Sequence, residues 1–72
     1  MIKINAARVR ELFERERLTD REAARRTRIP LRTIKRIQVD GARVRKGTLF
    51  ALMMSFPVTR DELILAEDED DA

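Results

Sequence analysis

The stretch TDREAARRTRIPLRTIKRIQ, residues 19–38, decides the predicted fold. It opens with a capping-box pattern, in which the hydroxyl of Thr19 accepts from the amide of Glu22 and the Glu22 carboxylate accepts from the amide of Thr19. Acidic side chains in the first turn also favour a helix, because they lie at the positive end of the helix dipole. The pattern therefore predicts a short helix over residues 20–27.

A second short helix is predicted over residues 31–38. Pro30 precedes it, and proline is tolerated in the first turn of a helix but not in its interior. The small side chains of Ala23 and Ala24 are expected where the two helices cross, so the helices can pack closely at a steep angle. The space between them is filled by isoleucines, namely Ile29, Ile34 and Ile37.

The outer face of this second helix is predicted to be rich in cations. A helix with one apolar stripe and a basic opposite face fits the major groove of duplex DNA, which is about 12 Å wide. Arginine is also the side chain best suited to bidentate contact with guanine O6 and N7. The residues predicted on this face are Leu31, Arg32, Thr33, Lys35 and Arg36.

Three further helices are predicted outside this segment. Asn5 is a typical N-cap for a first helix that ends near Arg17. A fourth helix is predicted over residues 49–55. A second capping-box pattern at residues 59–62 opens a fifth helix that extends through Leu65.

No strand is predicted, because apolar and polar residues do not alternate over any bounded run of β-branched residues. We therefore expect an all-α fold, a compact five-helix domain over residues 1–66, followed by an acidic, disordered tail over residues 67–72. The predicted core is Val9, Leu12, Phe13, Leu18, Ala23, Ala24, Ile29, Ile34, Ile37, Leu49, Leu52, Met53, Phe56 and Leu63.

Charge is distributed unevenly along the chain. The formal net charge is +3, but residues 67–71 are five consecutive acids, and without them the chain has 16 basic and 8 acidic residues. Residues 21–46 hold ten of the basic residues, opposed only by Glu22 and Asp40. A block of this kind is the electrostatic pattern of a polyanion binder. The acidic tail is expected either to solubilise the chain or to compete with DNA for the basic face.

Composition argues against several other classes of protein. The chain has no Cys and no His, so a metal site, a cofactor site or a catalytic site is not expected. A small-molecule ligand is not expected either, since so short a chain offers little room for a pocket. No apolar run is long enough to span a bilayer, and no signal peptide is visible. We therefore expect a cytoplasmic location and no membrane partner.

In order and spacing, residues 18–37 resemble the helix-turn-helix of Cro/CI-type (XRE-like) bacterial and phage repressors, and the likeness extends over about residues 5–65. The resemblance implies a lambda-repressor-like DNA-binding fold. It also implies a sequence-specific regulator of transcription, above all a repressor such as a phage Cro or an immunity repressor.

The resemblance also implies roles for individual residues. Thr19 and Asp20 match positions that touch phosphate or a base, and residues 43–46 match a basic loop that grips phosphates. Leu31, Arg32, Thr33 and Arg36 match the base-reading face. With the neighbouring basic residues, the predicted DNA-binding set is Thr19, Arg21, Leu31, Arg32, Thr33, Lys35, Arg36, Arg43, Arg45 and Lys46.

Three departures from the family pattern bear on the site. Asp20 stands where a neutral Gln is usual, and an acid there repels phosphate. Arg28 stands where Gly is usual, at a turn position that tends to require positive φ, which costs a non-Gly residue about 1 kcal/mol. Phe13 and Gln38 replace an Arg and a Glu that pair in many members, so both halves of that pair are absent together.

The partners expected are double-stranded DNA and a second copy of the chain, at least on DNA. The predicted dimer interface is Phe50, Met54, Ile64 and Leu65. The alternative is a helix-turn-helix used as a protein-interaction module, such as an antitoxin-like partner or an assembly subunit. An enzyme is the least favoured class, because the chain has no recognisable nucleophile and no glycine-rich phosphate loop.

Overall fold

The computed structural model describes residues 1–67 of the chain, which hold five helices and three strands. In chain order the elements are β1 (Ile2–Ile4), α1 (Ala6–Arg15), α2 (Asp20–Thr27), α3 (Leu31–Arg36), β2 (Arg43–Val44), α4 (Lys46–Ser55), α5 (Arg60–Leu63) and β3 (Ile64–Glu67). The acidic tail predicted at residues 67–72 lies outside the described residues, except that the backbone of Glu67 ends β3.

Three helices begin at the caps that the sequence predicts. The side chain of Asn5 accepts from the amide of Arg8 at 3.2 Å and opens α1. At the start of α2 the amide of Glu22 donates to Thr19 Oγ1 at 3.1 Å, and the amide of Thr19 donates to Glu22 Oε1 at 2.9 Å. The box at residues 59–62 opens α5 in the same way. All three predicted caps are confirmed.

Helix α1 ends in a tight turn that no sequence pattern predicts. Arg17 has a positive φ of 56°. The amide of Leu18 donates to the carbonyl of Phe13 at 2.9 Å, and the amide of Arg17 donates to that of Glu14 at 3.0 Å. These two bonds are the Schellman pattern, which satisfies the last carbonyls of a helix. The reversal places Leu18 against the core.

The turn between α2 and α3 is held by a buried threonine. Thr27 Oγ1 donates to the carbonyl of Ala23 at 2.7 Å and accepts from the amide of Ile29 at 3.1 Å. Arg28 has a φ of 63° in the left-handed region, as predicted, and its amide donates to the carbonyl of Ala24. Three residues therefore suffice to reverse the chain and deliver Ile29 to the core.

The all-α prediction is wrong in one respect, because a small antiparallel sheet joins three distant parts of the chain. Its order is β2-β1-β3, with Ile2 opposite both Val44 and Glu67. Isoleucines 2 and 4 are buried, and burying a side chain of this size contributes about 1.5–3 kcal/mol. The sheet thus ties both ends of the described chain to the segment that precedes α4.

The fifth helix is shorter than predicted. It ends at Leu63, and the chain continues as strand β3, so Ile64 and Leu65 belong to a strand and not to a helix. The cause is pairing with β1, where Ile4 lies opposite Ile64 next to a register irregularity. Two other boundaries differ by a similar amount, since α3 ends at Arg36, two residues before the predicted end, and α4 begins at Lys46, three residues before the predicted start.

The core is close to the predicted one. Leu18, Ala24 and Met53 are half-buried against it, and the other predicted core residues are buried. Prediction missed the residues contributed by the sheet and the start of α1, which are Ile2, Ile4, Ala6 and Val44.

Candidate nucleic-acid interface

Helix α3 presents the face that its sequence predicts. Ile34, and Ile37 just after the helix, are fully buried, which fixes the rotation of the helix on the core. Leu31 and Thr33 are half-buried at the edges of the stripe. The side chains left exposed are Arg32, Lys35 and Arg36.

The exposed cations of α3 form no ion pair with an acidic residue among residues 1–67, and the same holds for several basic residues on the neighbouring elements. None of the ion pairs in this part of the chain involves them. Leaving out Arg36, whose guanidinium donates to a backbone carbonyl, we call these residues the basic set; it consists of Arg21, Arg25 and Arg28 around α2, Arg32 and Lys35 on α3, and Arg45 and Lys46 at the start of α4.

The start of α2 lies beside the end of α3. Asp20 Oδ1 accepts from Gln38 Nε2 at 2.9 Å, and the same amide nitrogen donates to the carbonyl of Ile34 at 2.9 Å. The guanidinium of Arg10, on α1, donates to the carbonyl of Gln38 at 2.6 Å and to Asp40 Oδ1 at 3.3 Å. Three helices are thereby tied at one point.

This arrangement accounts for two of the sequence departures. Asp20 has a neutral amide donor as its partner, so its carboxylate is held inside the protein's own network, away from the role of contacting a phosphate. Gln38 supplies that amide, while Phe13 packs in the core with its ring centroid 5.8 Å from that of Phe56. Sequence reasoning missed Gln38 and Arg10 as structural partners, and no local pattern marks them.

Thr19 and Glu22 form a charged cap at the exposed start of α2. The pKa of Glu22 is lowered below 4.5, mainly by the hydrogen bond from the Thr19 backbone amide and next by the hydrogen bond from the Thr19 side chain. The charge of Arg25 lowers it by a smaller amount. The Glu22 carboxylate is therefore ionised but engaged by a neutral residue. The Thr19 hydroxyl also accepts from the backbone amide of Glu22 at 3.1 Å.

The basic loop predicted at residues 43–46 is built from a strand and a helix start. Arg43 lies in β2 opposite Lys3, Arg45 is the N-cap residue of α4, and Lys46 is its first residue. The side chains of Arg43, Arg45 and Lys46 are all exposed. Helix α4 begins without a side-chain cap. The cationic side chains of Arg45 and Lys46 lie at its start, which is the positive end of the helix dipole.

Two basic residues of the block at residues 21–46 already have partners inside the protein. Arg26 pairs with Glu16 at 3.3 Å, and its guanidinium carbon lies 4.8 Å from the ring centroid of Phe56. Arg36 donates through Nη1 to the carbonyl of Arg43 at 2.8 Å. These two side chains join elements of the fold, a role that their place in a basic run does not reveal.

Apolar side chains are exposed on the far side of α4 and on β3. Phe50 is 57% exposed, Met54 86% and Leu65 57%. Ile64, the fourth residue predicted for an interface, is half-buried and packs against the core. Helix α4 therefore carries two of the large apolar side chains exposed among residues 1–67, while Val39, 62% exposed, and Met1, 40% exposed, lie outside it.

No other kind of site stands out in the described part of the chain. Residues 1–67 contain no group of three or more acidic side chains placed to hold a metal ion. Within the same residues, no helix has both the length and the apolarity needed to cross a membrane.

Comparison with known proteins gives no relative: no protein-family model matches the chain, and no curated protein or solved structure matches it.

Proposed function

We propose that this chain is a helix-turn-helix protein that binds duplex DNA and regulates transcription, acting as a repressor. The observation that carries the proposal is the basic set. Its cations remain without ion-pair partners among residues 1–67, although acidic residues are present elsewhere on the surface. A polyanion supplies the missing counter-charges, with release of its own counterions.

In this proposal α2 and α3 are the two helices of the motif, and α3 enters the major groove. Arg32 and Lys35 point away from the buried isoleucine stripe and reach base edges, where arginine pairs with guanine. Leu31 and Thr33 contact the groove from the edges of that face, through apolar contact with thymine methyl groups and through the hydroxyl.

The phosphate contacts are assigned to residues on either side of α3. Thr19 and Arg21 at the start of α2 hold one stretch of backbone. Arg43, Arg45 and Lys46 hold another, where the positive end of the α4 dipole adds to their charge. Such contacts fix the orientation of a protein on DNA and carry little sequence information.

Repression is inferred from the resemblance of residues 18–37 to Cro/CI-type regulators. A second copy is part of the proposal, because one short helix reads too few base pairs to specify a site in a genome. Phe50 and Met54 on α4, with Leu65 on β3, are the surface for that copy. Ile64 contributes less because it packs inward.

Selection of bound sequences from random duplexes tests the function. A sequence-specific regulator yields an inverted repeat with half-site centres about 34 Å apart. Its affinity falls steeply as salt concentration rises. Selection that enriches no motif, with binding that is insensitive to salt, contradicts the proposal.

The dimer is tested with Met54→Asp, which places a charge on the most exposed apolar side chain without touching the core. Cooperative binding to the two half-sites should weaken while circular dichroism stays unchanged. Ala7→Asp, at an exposed position of α1, is the matched control and should leave cooperativity intact. Undiminished cooperativity in Met54→Asp means that the copies meet elsewhere.

A second candidate is a protein-interaction module, favoured by the exposure of Phe50 and Met54. Adjacent exposed apolar side chains of this size are a common mark of a protein-binding surface. Retention on heparin or duplex DNA distinguishes the two, because a module that binds only protein requires neither retention nor a steep salt dependence.

A further inference from the structure

Arg36 differs from the other cations of α3 in having a partner inside the protein. It is the last residue of the helix, and its Nη1 donates to the carbonyl oxygen of Arg43 at 2.8 Å. Arg32, one turn earlier, has no hydrogen bond or ion pair through its side chain within residues 1–67. Two arginines on the same helix therefore have different surroundings.

The acceptor of Arg36 lies on the short edge strand β2, whose Val44 is buried in the core. β2 is two residues long and forms the edge of the sheet, where β1 is its one neighbour in the described chain. Between α3 and β2 the chain turns at Gly41, which has a φ of 91°, and the amide of Ile4 donates to the carbonyl of Ala42. The hydrogen bond from Arg36 thus adds a direct link from α3 to a segment that also pairs with β1.

The segment immediately after β2 is the part of the chain assigned to phosphate contact. Arg45 comes two residues after Arg43 and occupies the N-cap position of α4, and Lys46 is the first residue of that helix. The bond between Arg36 and the Arg43 carbonyl therefore links the helix assigned to the groove with the segment assigned to phosphate contact.

We propose that Arg36 is a positioning residue that joins α3 to residues 43–46 and does not read a base. The inference rests on the proposed function and refines it. Bidentate reading of guanine needs two N–H groups of the guanidinium fork aimed at O6 and N7. In Arg36 one arm of the fork is already held on a carbonyl, so base reading falls to Arg32.

The first test uses the free protein and does not depend on DNA. Arg36→Ala should shift the backbone amide resonances of residues 43–46 beyond the shifts near position 36. Arg32→Ala, the matched control on the same helix, should leave those resonances in place. Unchanged signals at residues 43–46 in Arg36→Ala overturn the proposal, whether or not the chain binds DNA.

The second test uses the sequence found by selection and a random duplex. Arg36→Ala should weaken binding to both by the same factor, of order ten-fold. The slope of log affinity against log salt should flatten by more than the ~0.9 expected for one lost phosphate contact, because Arg45 and Lys46 are misplaced as well. Loss confined to the selected sequence, with preference relaxed at one base pair, identifies a base reader and overturns the proposal.

Arg36→Lys keeps the test decisive if the alanine variant fails to fold. Lysine can donate to the carbonyl of Arg43 but lacks the rigid, planar guanidinium fork with which arginine matches guanine O6 and N7. The lysine variant should therefore retain sequence preference and most of the affinity. Relaxed preference at one base pair in this variant contradicts the proposal.

A combination of substitutions separates positioning from an independent contact. If Arg36 acts through residues 43–46, Arg45→Ala costs less in the Arg36→Ala background than in the wild type, because the segment is already displaced. Independent contacts give losses that add on a logarithmic scale, and that result overturns the proposal. A wild type that binds no duplex at all refutes the proposed function, while the amide resonances still decide whether the coupling exists.

Discussion

Helices α1 and α3 both carry three basic residues, but their charges are arranged in opposite ways. In α1 all three arginines form ion pairs: Arg8 and Arg15 with Glu11, and Arg10 with Asp40. In α3 no acidic residue is present, and none of its cations pairs with a carboxylate in the described chain. The same residue type is therefore neutralised on one helix and left exposed on the other.

The difference arises from spacing. Glu11 lies three residues after Arg8 and four before Arg15, the two separations at which helix side chains meet. In α3 those separations join like charges, since Arg32 is three residues from Lys35 and four from Arg36, and like-charge pairs destabilise a helix by about 0.2–0.5 kcal/mol each.

The two acids in the first turn of α2 form no ion pair with the cations of α3. Asp20 accepts from the amide of Gln38, and Glu22 accepts from the backbone amide of Thr19. Both carboxylates are thus held by neutral donors. A positive potential that the protein's own acids do not neutralise makes the binding of an anion at that place more favourable. This is the physical basis of the proposed function.

Among substitutions on α1 and α3, Arg32→Ala is expected to have the largest effect on DNA affinity. Binding to the selected sequence should weaken by about 1–3 kcal/mol, with preference relaxed at one base pair, because a base contact is lost. The free protein should be equally stable or slightly more stable, since two like-charge pairs disappear. Titration against selected and random duplexes, with thermal denaturation, measures both effects.

Arg15→Ala is the control on α1. It removes the ion pair with Glu11, so it should lower stability by a few tenths of a kcal/mol and leave DNA binding unchanged. Equal losses of DNA affinity in the two variants would mean that α3 is not the groove-reading helix.

The next effect is a change in salt dependence. Arg45→Ala should weaken binding to all sequences about equally and flatten the slope of log affinity against log salt by ~0.9, because one phosphate contact is lost. Arg8→Ala, which removes a paired cation from α1, should leave the slope unchanged. A slope that stays the same in Arg45→Ala argues against phosphate contact by the start of α4.

Local features of the fold were predictable because they depend on residues a few positions apart. The caps at Asn5, Thr19 and Thr59 each join a side chain to an amide three residues on, and their sequence patterns are specific. The exposure of Arg32 and Lys35 followed from the isoleucine stripe on the other side of α3.

The sheet was not predictable, because it depends on non-local pairing of very short segments. β2 has two residues and β1 has three, too few for an alternating pattern to register. Ile64 and Leu65 come after a genuine helix start, so the helical pattern was extended through them. Pairing with β1, in which Ile4 lies opposite Ile64 and Ile2 opposite Glu67, makes that stretch a strand.

The partners of the polar residues in the candidate site were likewise beyond sequence reasoning. Contact between Asp20 and Gln38 depends on the angle between α2 and α3, and contact between Arg36 and Arg43 on the course of the turn between α3 and β2. Neither distance is encoded in spacing along the chain.

A smaller effect is expected at the two arginines with positive φ. Arg28, with φ 63°, belongs to the basic set, and Arg17, with φ 56°, lies just after α1. Glycine adopts this region without strain, so Arg28→Gly and Arg17→Gly should each leave stability equal or raise it by up to about 1 kcal/mol. Only the first should weaken DNA binding. A clear fall in melting temperature for Arg28→Gly would show that its side chain stabilises the turn.

The smallest effect expected is the pH dependence of the cap on α2. The Thr19 backbone amide, and next its side chain, lower the pKa of Glu22 in the folded protein below 4.5, so the ionised carboxylate stabilises the fold. That contribution is fully present above pH 4.5 and is lost as the pH falls through the lowered folded value. Glu22→Gln keeps an acceptor for the amide but does not titrate. The melting-temperature advantage of the wild type over Glu22→Gln should therefore be constant near neutral pH and shrink in acid, and a difference that stays the same from pH 7 to about pH 3 contradicts the assignment.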